Sequence, residues 1–357
     1  MFQKKYSLII ALLVLAIFAV GSVSAADDIA TDSDVPADDI AVDDVSADLT
    51  DESDDVSDES NNRDSPVHIA FNSTSDDINN VIQNTTSGEI IFDYGYYENP
   101  VYNISLKDNI ILNGNGNTIT GNGVDDIFLV TNCKNFTIKN FIIDVNGGRH
   151  GIYGHHVYNS TITNNTIYNC EDAINIYQIH ENLTITDNTI YNVSQDGISL
   201  VNFQDYMSND AGFAGFVGSI ISGNVITGCK YGMFFGGNFK GTITGNNMAN
   251  CEYGMQFKGK KLASNGRLNA TIYNNRITGA TVGIDMNNPG VDYLNITYNT
   301  IRTVNRTSDY AIANNTYFNK TSNGFISITN NILRGRINQS FINKTDIFTD
   351  NSGYIQV

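Results

Sequence analysis

The chain has 357 residues, 41% of them hydrophobic, with 38 acidic against 20 basic side chains and a formal net charge of −18. That balance, without a basic patch laced with aromatic residues, excludes a nucleic-acid footprint. The four cysteines show no metal-ligand spacing, which excludes a zinc module.

Lys4 and Lys5 precede an apolar run from Leu8 to Val20 and the small-residue segment Val23-Ser24-Ala25. This pattern reads as a signal peptide over 1–25, too short for an ordinary spanning helix. The expected location is secreted or cell-surface, with no stable membrane span after cleavage. Residues 26–64 read as an acidic disordered spacer, because 16 carboxylates from Asp27 to Asp64 face only Arg63 and such a composition buries no core. The run lacks the glycine and closing glutamate of an EF-hand loop, so Ca²⁺ has no motif here and neither cofactor nor metal is expected. The remaining chain is nearly balanced, with 22 acidic against 17 basic residues.

Residues 65–357 read as one domain, with 65–100 a cap and first coil, 101–335 the repeats and 336–357 a C-terminal cap. Thr74 and Asp77 form a capping box, and Ile78, Val81 and Ile82 give a short helix an apolar face that plugs the end of a rod. From Thr161 to Leu333 one phrase recurs, as in TITNNTIYNCEDAINIY and TITDNTIYNVSQDGISL. A period of roughly 22 to 24 residues, with β-branched strands cut by Asn and Gly, is the signature of stacked coils.

Two ladders run through the repeats. Ile-x-x-Asn-x-Ile places Asn165, Asn188, Asn224, Asn246, Asn275, Asn299 and Asn331 at one position. A small residue before an apolar-x-apolar strand recurs at Gly151, Ala173, Gly197, Gly232, Gly254, Gly283 and Ala311. Alternate side chains share a face, and one coil cannot bury that face alone, so coils about 4.8 Å apart must stack isoleucine on isoleucine. Ile162, Ile185, Ile221, Ile243, Ile272, Ile296 and Ile328 then form one column. Each Asn is expected to bond turn backbone and the Asn of the next coil, and each Gly to supply an unusual φ. Cys229 and Cys251 share a slot in adjacent coils, compatible with a disulfide or with two buried thiols.

These repeats resemble the right-handed β-helix superfamily, which includes pectate lyase-like enzymes and many archaeal and bacterial adhesin-like surface proteins. The likeness spans about residues 88 to 335. It implies an all-β fold, a single-stranded right-handed parallel β-helix of roughly nine to ten coils with a short N-terminal capping helix. Right-handed coils also follow from the rule for parallel crossovers.

With the interior consumed by packing, function falls to outward side chains and loops. One and three residues after each core residue of the second ladder stand Tyr153 and His155, Asn175 and Tyr177, Phe234, and Lys258. These six are the candidate ligand-binding residues, since ring faces stack on sugar C–H groups and amides reach hydroxyls. The segments 202–217, 258–269 and 305–323 are expected to project beside them. His150, Asp172 and Asp196 occupy the turn slot before the small residue in three successive coils. Stacked carboxylates suit acid–base work on a glycosidic bond, so these three are the candidate catalytic residues. The same slot holds Tyr231, Tyr253, Val282 and Tyr310 elsewhere, which favours a turn role for the aspartates. Pectinase-like hydrolases of this fold carry ordered Asp pairs, a Gly-His-Gly segment and an Arg-x-Lys pair. Here Glu171-Asp172, Asp196 and His150-Gly151 appear as fragments in another order, without the Arg-x-Lys.

The leading expectation is an adhesin-like protein presenting a flank that binds glycans or cell-surface polymers. A polysaccharide lyase, glycoside hydrolase or epimerase using the same flank is the alternative, followed by a structural envelope or copper-maturation-type accessory protein. Abundant Asn-x-Ser/Thr sequons accompany this reading, with Asn305, Asn319 and Asn343 expected on outer loops.

Overall fold

A computed structural model of the protein describes residues 66–95, 97–201, 218–259, 267–287, 289–314 and 318–357. The expected signal peptide and acidic spacer, the loop 202–217, and Lys260 and Lys261 lie outside the described residues.

Each coil carries three strands, as in Thr161–Thr163, Thr166–Cys170 and Asp172–Glu181. The sequence's first ladder straddles a bend, so Ile162 and Ile167 serve two different faces. Every strand pairs in parallel with the equivalent strand one coil away. The first face is a sheet of 12 strands, from Val67–Ile69 to Ile347–Thr349, which exceeds the nine to ten coils counted from the repeat. The extra rungs come from segments such as Gly88–Phe92 that keep the inward apolar residues but not the Asn.

The expected isoleucine column from Ile162 to Ile328 is formed residue by residue. A second column joins Ile167, Ile190, Ile226, Met248, Ile277 and Ile301. All are buried to 1% exposure or less. Cys170, Cys229 and Cys251 are likewise buried, and unbridged.

The asparagine ladder runs at the bend between the first and second faces. In each rung the Oδ1 of one Asn accepts both the backbone N–H and the Nδ2 of the preceding one, at 2.8–3.1 Å from Asn165 through Asn331. The Nδ2 also donates to a first-face carbonyl, so a buried amide leaves nothing unmet. The ladder stops short of Asn140: that residue takes the left-handed turn, and Phe141 fills the ladder slot, packing against Phe92 and Phe128.

The residue before each ladder Asn is left-handed, with φ of 53–66° across Asn164, Asp187, Gly223, Gly245, Asn274, Tyr298 and Asn330. Asn, Asp and Gly tolerate this region, whereas tyrosine does so at a cost. The glycines before the third face were expected to need an unusual φ, and they do not. A Cβ on Gly232 would meet Gly254 O at 2.5 Å, and one on Gly254 would meet Gly283 O at 2.5 Å. These glycines are small because coils meet closely there. Ala173 and Ala311 show that some coils leave room for one methyl.

The capping helix spans Ser75–Asn84, with both reciprocal bonds of the Thr74–Asp77 box and with Ile78 and Ile82 fully buried. Residues 336–357 contain a four-residue helix, Gln339–Ile342, and two more rungs, Ile347–Thr349 and Ser352–Gln356. Among the described residues no helix is long and apolar enough to cross a membrane.

Candidate functional site

The third face carries the chemistry. In register along it, Asp172 pairs with His150, Asp196 with Tyr231, and Tyr231 with Tyr253. His150, Asp172 and Asp196 are therefore brought together as the sequence suggested. The structure adds a fourth member, Asp126, one coil before His150.

His150 Nδ1 lies 2.7 Å from Asp126 Oδ1 and Nε2 lies 3.5 Å from Asp172 Oδ2. The three side chains are only 5–11% exposed. Burial works against a charged ring, but hydrogen bonds to Asp126 and Asp172, and their charges, push the His150 pKa up to about 9. The imidazolium thus bridges two carboxylates across three coils. Asp172 has further donors: Oδ1 accepts the Asp196 N–H at 2.9 Å and Oδ2 accepts the Asn175 amide. Asp196 differs. Burial, then the Asp172 charge, outweigh a hydrogen bond from Ser199 and the charge of Lys230 and push its pKa up to about 7. Its carboxyl is thereby able to exchange a proton near neutrality.

The six candidate ligand residues fall into two register columns. Tyr153, Asn175 and Phe234 stand in one with Ser199, Gln256 and Asp285. His155, Tyr177 and Lys258 stand in the other with Val201, Gly236 and Asn287. Pointing away from the rod's core does not make them solvent-facing. Asn175 is 0% exposed, Ser199 2% and Gln256 4%, so the middle of the flank is closed to a ligand. Asn175 turns its amide to Asp172 and toward Tyr177 Oη at 3.4 Å, and its Oδ1 has no partner. Gln256 donates to Asp285 at 2.7 Å. Phe234 packs on Tyr231, and Lys258 lies four rungs along the column from His155, so neither joins the cluster around His150.

Tyr153, His155 and Tyr177 do join it. With Arg149, His150 and Gln178 they line a cleft of about 200 Å³. The Tyr153 ring stacks on His150 at 4.9 Å and stands 5.7 Å from the Tyr177 ring at an angle of 56°. The strand register shifts between Tyr177 and His180, and His156 and Gln178 take left-handed φ of 55° and 59°. This bulge re-aims the end of the strand and brings Gln178 to the cleft. His155 Nδ1 contacts His156 Nδ1 at 3.2 Å, and burial together with the His156 charge holds the His155 pKa below the usual imidazole value. On the other side of Arg149 a groove of about 640 Å³ runs along the turns, past Gly148, Glu171, Asn192 and Ser194. Among the described residues no group of three or more His, Cys, Asp or Glu side chains is arranged to hold a metal ion.

Asp126 and Gln178 escaped the sequence reading. Asp126 lies 24 residues before His150, one coil period, so counting the register backwards through the cruder repeats finds it. Nothing in the sequence marks the bulge that moves Gln178.

Residues 115–210 match the family model described as "Right handed beta helix region". The chain is a right-handed parallel β-helix. No curated protein matches it. Solved structures similar to this β-helix include the Yersinia enterocolitica Family 28 exopolygalacturonase, at 10% identity over 82% of this chain and 78% of that one, with a TM-score of 0.47. The polygalacturonase from Erwinia carotovora ssp. carotovora has 13% identity over 77% and 97%, with a TM-score of 0.43. The A-module of the Azotobacter vinelandii mannuronan C-5 epimerase AlgE4 has 13% identity over 79% and 93%, with a TM-score of 0.34. At such identities and scores the likeness is one of coil architecture and carries no argument about chemistry.

Proposed function

We propose that this β-helix is a glycan-binding protein of the adhesin-like kind, secreted or held at the cell surface, which receives a sugar in the cleft of Tyr153 and Tyr177. The observation that carries the reading is the pairing of two half-buried tyrosine rings, one coil apart, with Arg149, His155 and Gln178 around one concave site. Ring faces stack on sugar C–H groups while the polar tips meet hydroxyls, and Arg149 favours a glycan carrying carboxylates. His150, neutralised by Asp126 and Asp172, fixes the floor beneath Tyr153. The test is binding of the purified protein to a panel of uronic-acid and neutral oligosaccharides. Tyr153→Ala and Tyr177→Ala should each weaken binding about 2- to 12-fold, the equivalent of a lost stacking contact of ~0.5–1.5 kcal/mol. Unchanged affinity in the double variant would refute the cleft as the binding site.

One observation favours a second reading, a polysaccharide-active enzyme. Asp196, its pKa pushed up to about 7 by burial and by the neighbouring Asp172 charge, is a proton donor at the pH where such chemistry runs. Incubation with the same panel distinguishes the two: shortened or unsaturated products, abolished in Asp196→Asn, support the enzyme. Binding without turnover, unaltered in Asp196→Asn, leaves the glycan-binding reading standing alone.

A further inference from the structure

The first face, on a different side of the coil, carries an aromatic platform that the repeat does not require. Strands Arg267–Tyr273, Gly290–Thr297 and Asn319–Thr329 lie side by side, with Asn269, Tyr293 and Phe325 in one row and Tyr273, Thr297 and Thr329 in another. Tyr293 and Phe325 are each 37% exposed and stack at 6.0 Å; Tyr273 and Tyr298, 42% and 56% exposed, meet edge to face at 5.7 Å. Four residues of strand separate the two rows, about 13 Å. Thr271 and Asn295 lie between them, half-buried, while the alternate residues Ala270, Ile272, Leu294 and Ile296 go to the core.

Tyr298 is the telling residue. Its left-handed slot, φ 58°, is filled by Asn, Asp or Gly in every other coil from Asn164 to Asp350. A bulky residue in that region is strained, and strain that packing does not reward points to a surface role. More than half exposed, the ring gains little burial in return. The flanking charges are neutralised in the pairs Arg267–Asp292 and Lys320–Asp346.

We propose that this platform is a second carbohydrate-binding surface, independent of the cleft, which takes an uncharged glycan chain. The two aromatic pairs stack on sugar rings at either side, and Asn295 and Thr271 bond hydroxyls between them. Paired charges on the rim leave no drive to attract an ionic polymer. Asn269 and Asn295 begin sequons, so glycans attached there would cover the surface.

The test uses full-length protein made without N-glycosylation, run in gels containing a neutral glucan, mannan or galactan, or polygalacturonate. The chain has no Trp, so tyrosine fluorescence gives a second readout. At least one neutral polymer should retard the wild type, and Tyr298→Asn combined with Tyr293→Ala should weaken that retardation at least about 10-fold, the loss of two stacking contacts. Tyr153→Ala/Tyr177→Ala should leave it intact. Circular dichroism and thermal melting of each variant check folding, and Tyr298→Asn alone, which restores the slot's usual residue, keeps the test valid if the double variant is unstable. Retardation unaltered by Tyr298→Asn/Tyr293→Ala, retardation lost through the Tyr153 and Tyr177 changes, no retardation by any neutral polymer, or concentration-dependent self-association abolished by Tyr298→Asn would each overturn the proposal.

Discussion

Replacing Asn246 with alanine isolates what the buried ladder contributes. Asn246 is 1% exposed, and its Oδ1 accepts both Asn224 N–H and Asn224 Nδ2 at 2.9 Å. Its Nδ2 donates to Ile221 O, Thr244 O and Asn275 Oδ1 at 2.9–3.1 Å. After truncation Asn275 Oδ1 still receives Asn246 N–H, and Asn224 Nδ2 still reaches Ile185 O and Ser222 O. The Asn224 backbone N–H, in a residue 0% exposed, is left with no partner. One orphaned buried donor costs about 1–3 kcal/mol and the bonds of the two Asn246 Nδ2 hydrogens about 1 kcal/mol each, so the expected destabilisation is roughly 3–5 kcal/mol. Asn182→Gly is the matched control, because it keeps a φ of 49° while deleting an exposed amide bonded only to Asn159. It should cost less than about 1 kcal/mol. Urea unfolding gives the difference, and hydrogen exchange at the Asn224 amide should show local opening before the rest of the rod, since coils interact mainly with their neighbours. Equal costs for Asn246→Ala and Asn182→Gly would refute the ladder as a source of stability.

Three further outcomes follow from particular contacts. Both His150, raised to about 9, and Asp196, raised to about 7, bind protons more tightly in the folded state, so their contribution is fully present below their unfolded values and is lost as pH rises. Unfolding free energy should therefore decline between about pH 4 and 7 through Asp196 and between about pH 6.5 and 9 through His150, and Asp196→Asn should flatten the lower window only. Gly232→Ala, whose Cβ would strike Gly254 O at 2.5 Å, should lose about 1–3 kcal/mol in urea unfolding; Gly228→Ala, with open space but φ of 68°, should lose about 1–2 kcal/mol for backbone reasons alone. In thermal unfolding Tyr298→Asn should raise stability by about 0.5–1 kcal/mol through relief of the left-handed tyrosine, and a loss instead would mean that the ring packs more than its 56% exposure implies.

The scaffold is written in the repeat. Periodic isoleucines and asparagines can satisfy burial and hydrogen bonding in only one way, by stacking each on its own copy, so Ile162 meets Ile185 and Asn188 meets Asn224 as the spacing requires. The cap was legible for the same reason, since Thr74 and Asp77 bond each other locally. Register likewise places His150, Asp172 and Asp196 in one column. Features that depend on more than period were set by packing in three dimensions. Whether an outward side chain meets solvent or a neighbour separated Tyr153 and Tyr177 from Asn175 and Gln256. Close approach of coils, rather than φ, explained Gly232 and Gly254. The bulge that delivers Gln178 arises where the repeat is broken, and the platform around Tyr298 where one residue departs from it. There the chain's local pattern no longer dictates its neighbours, and packing across coils does.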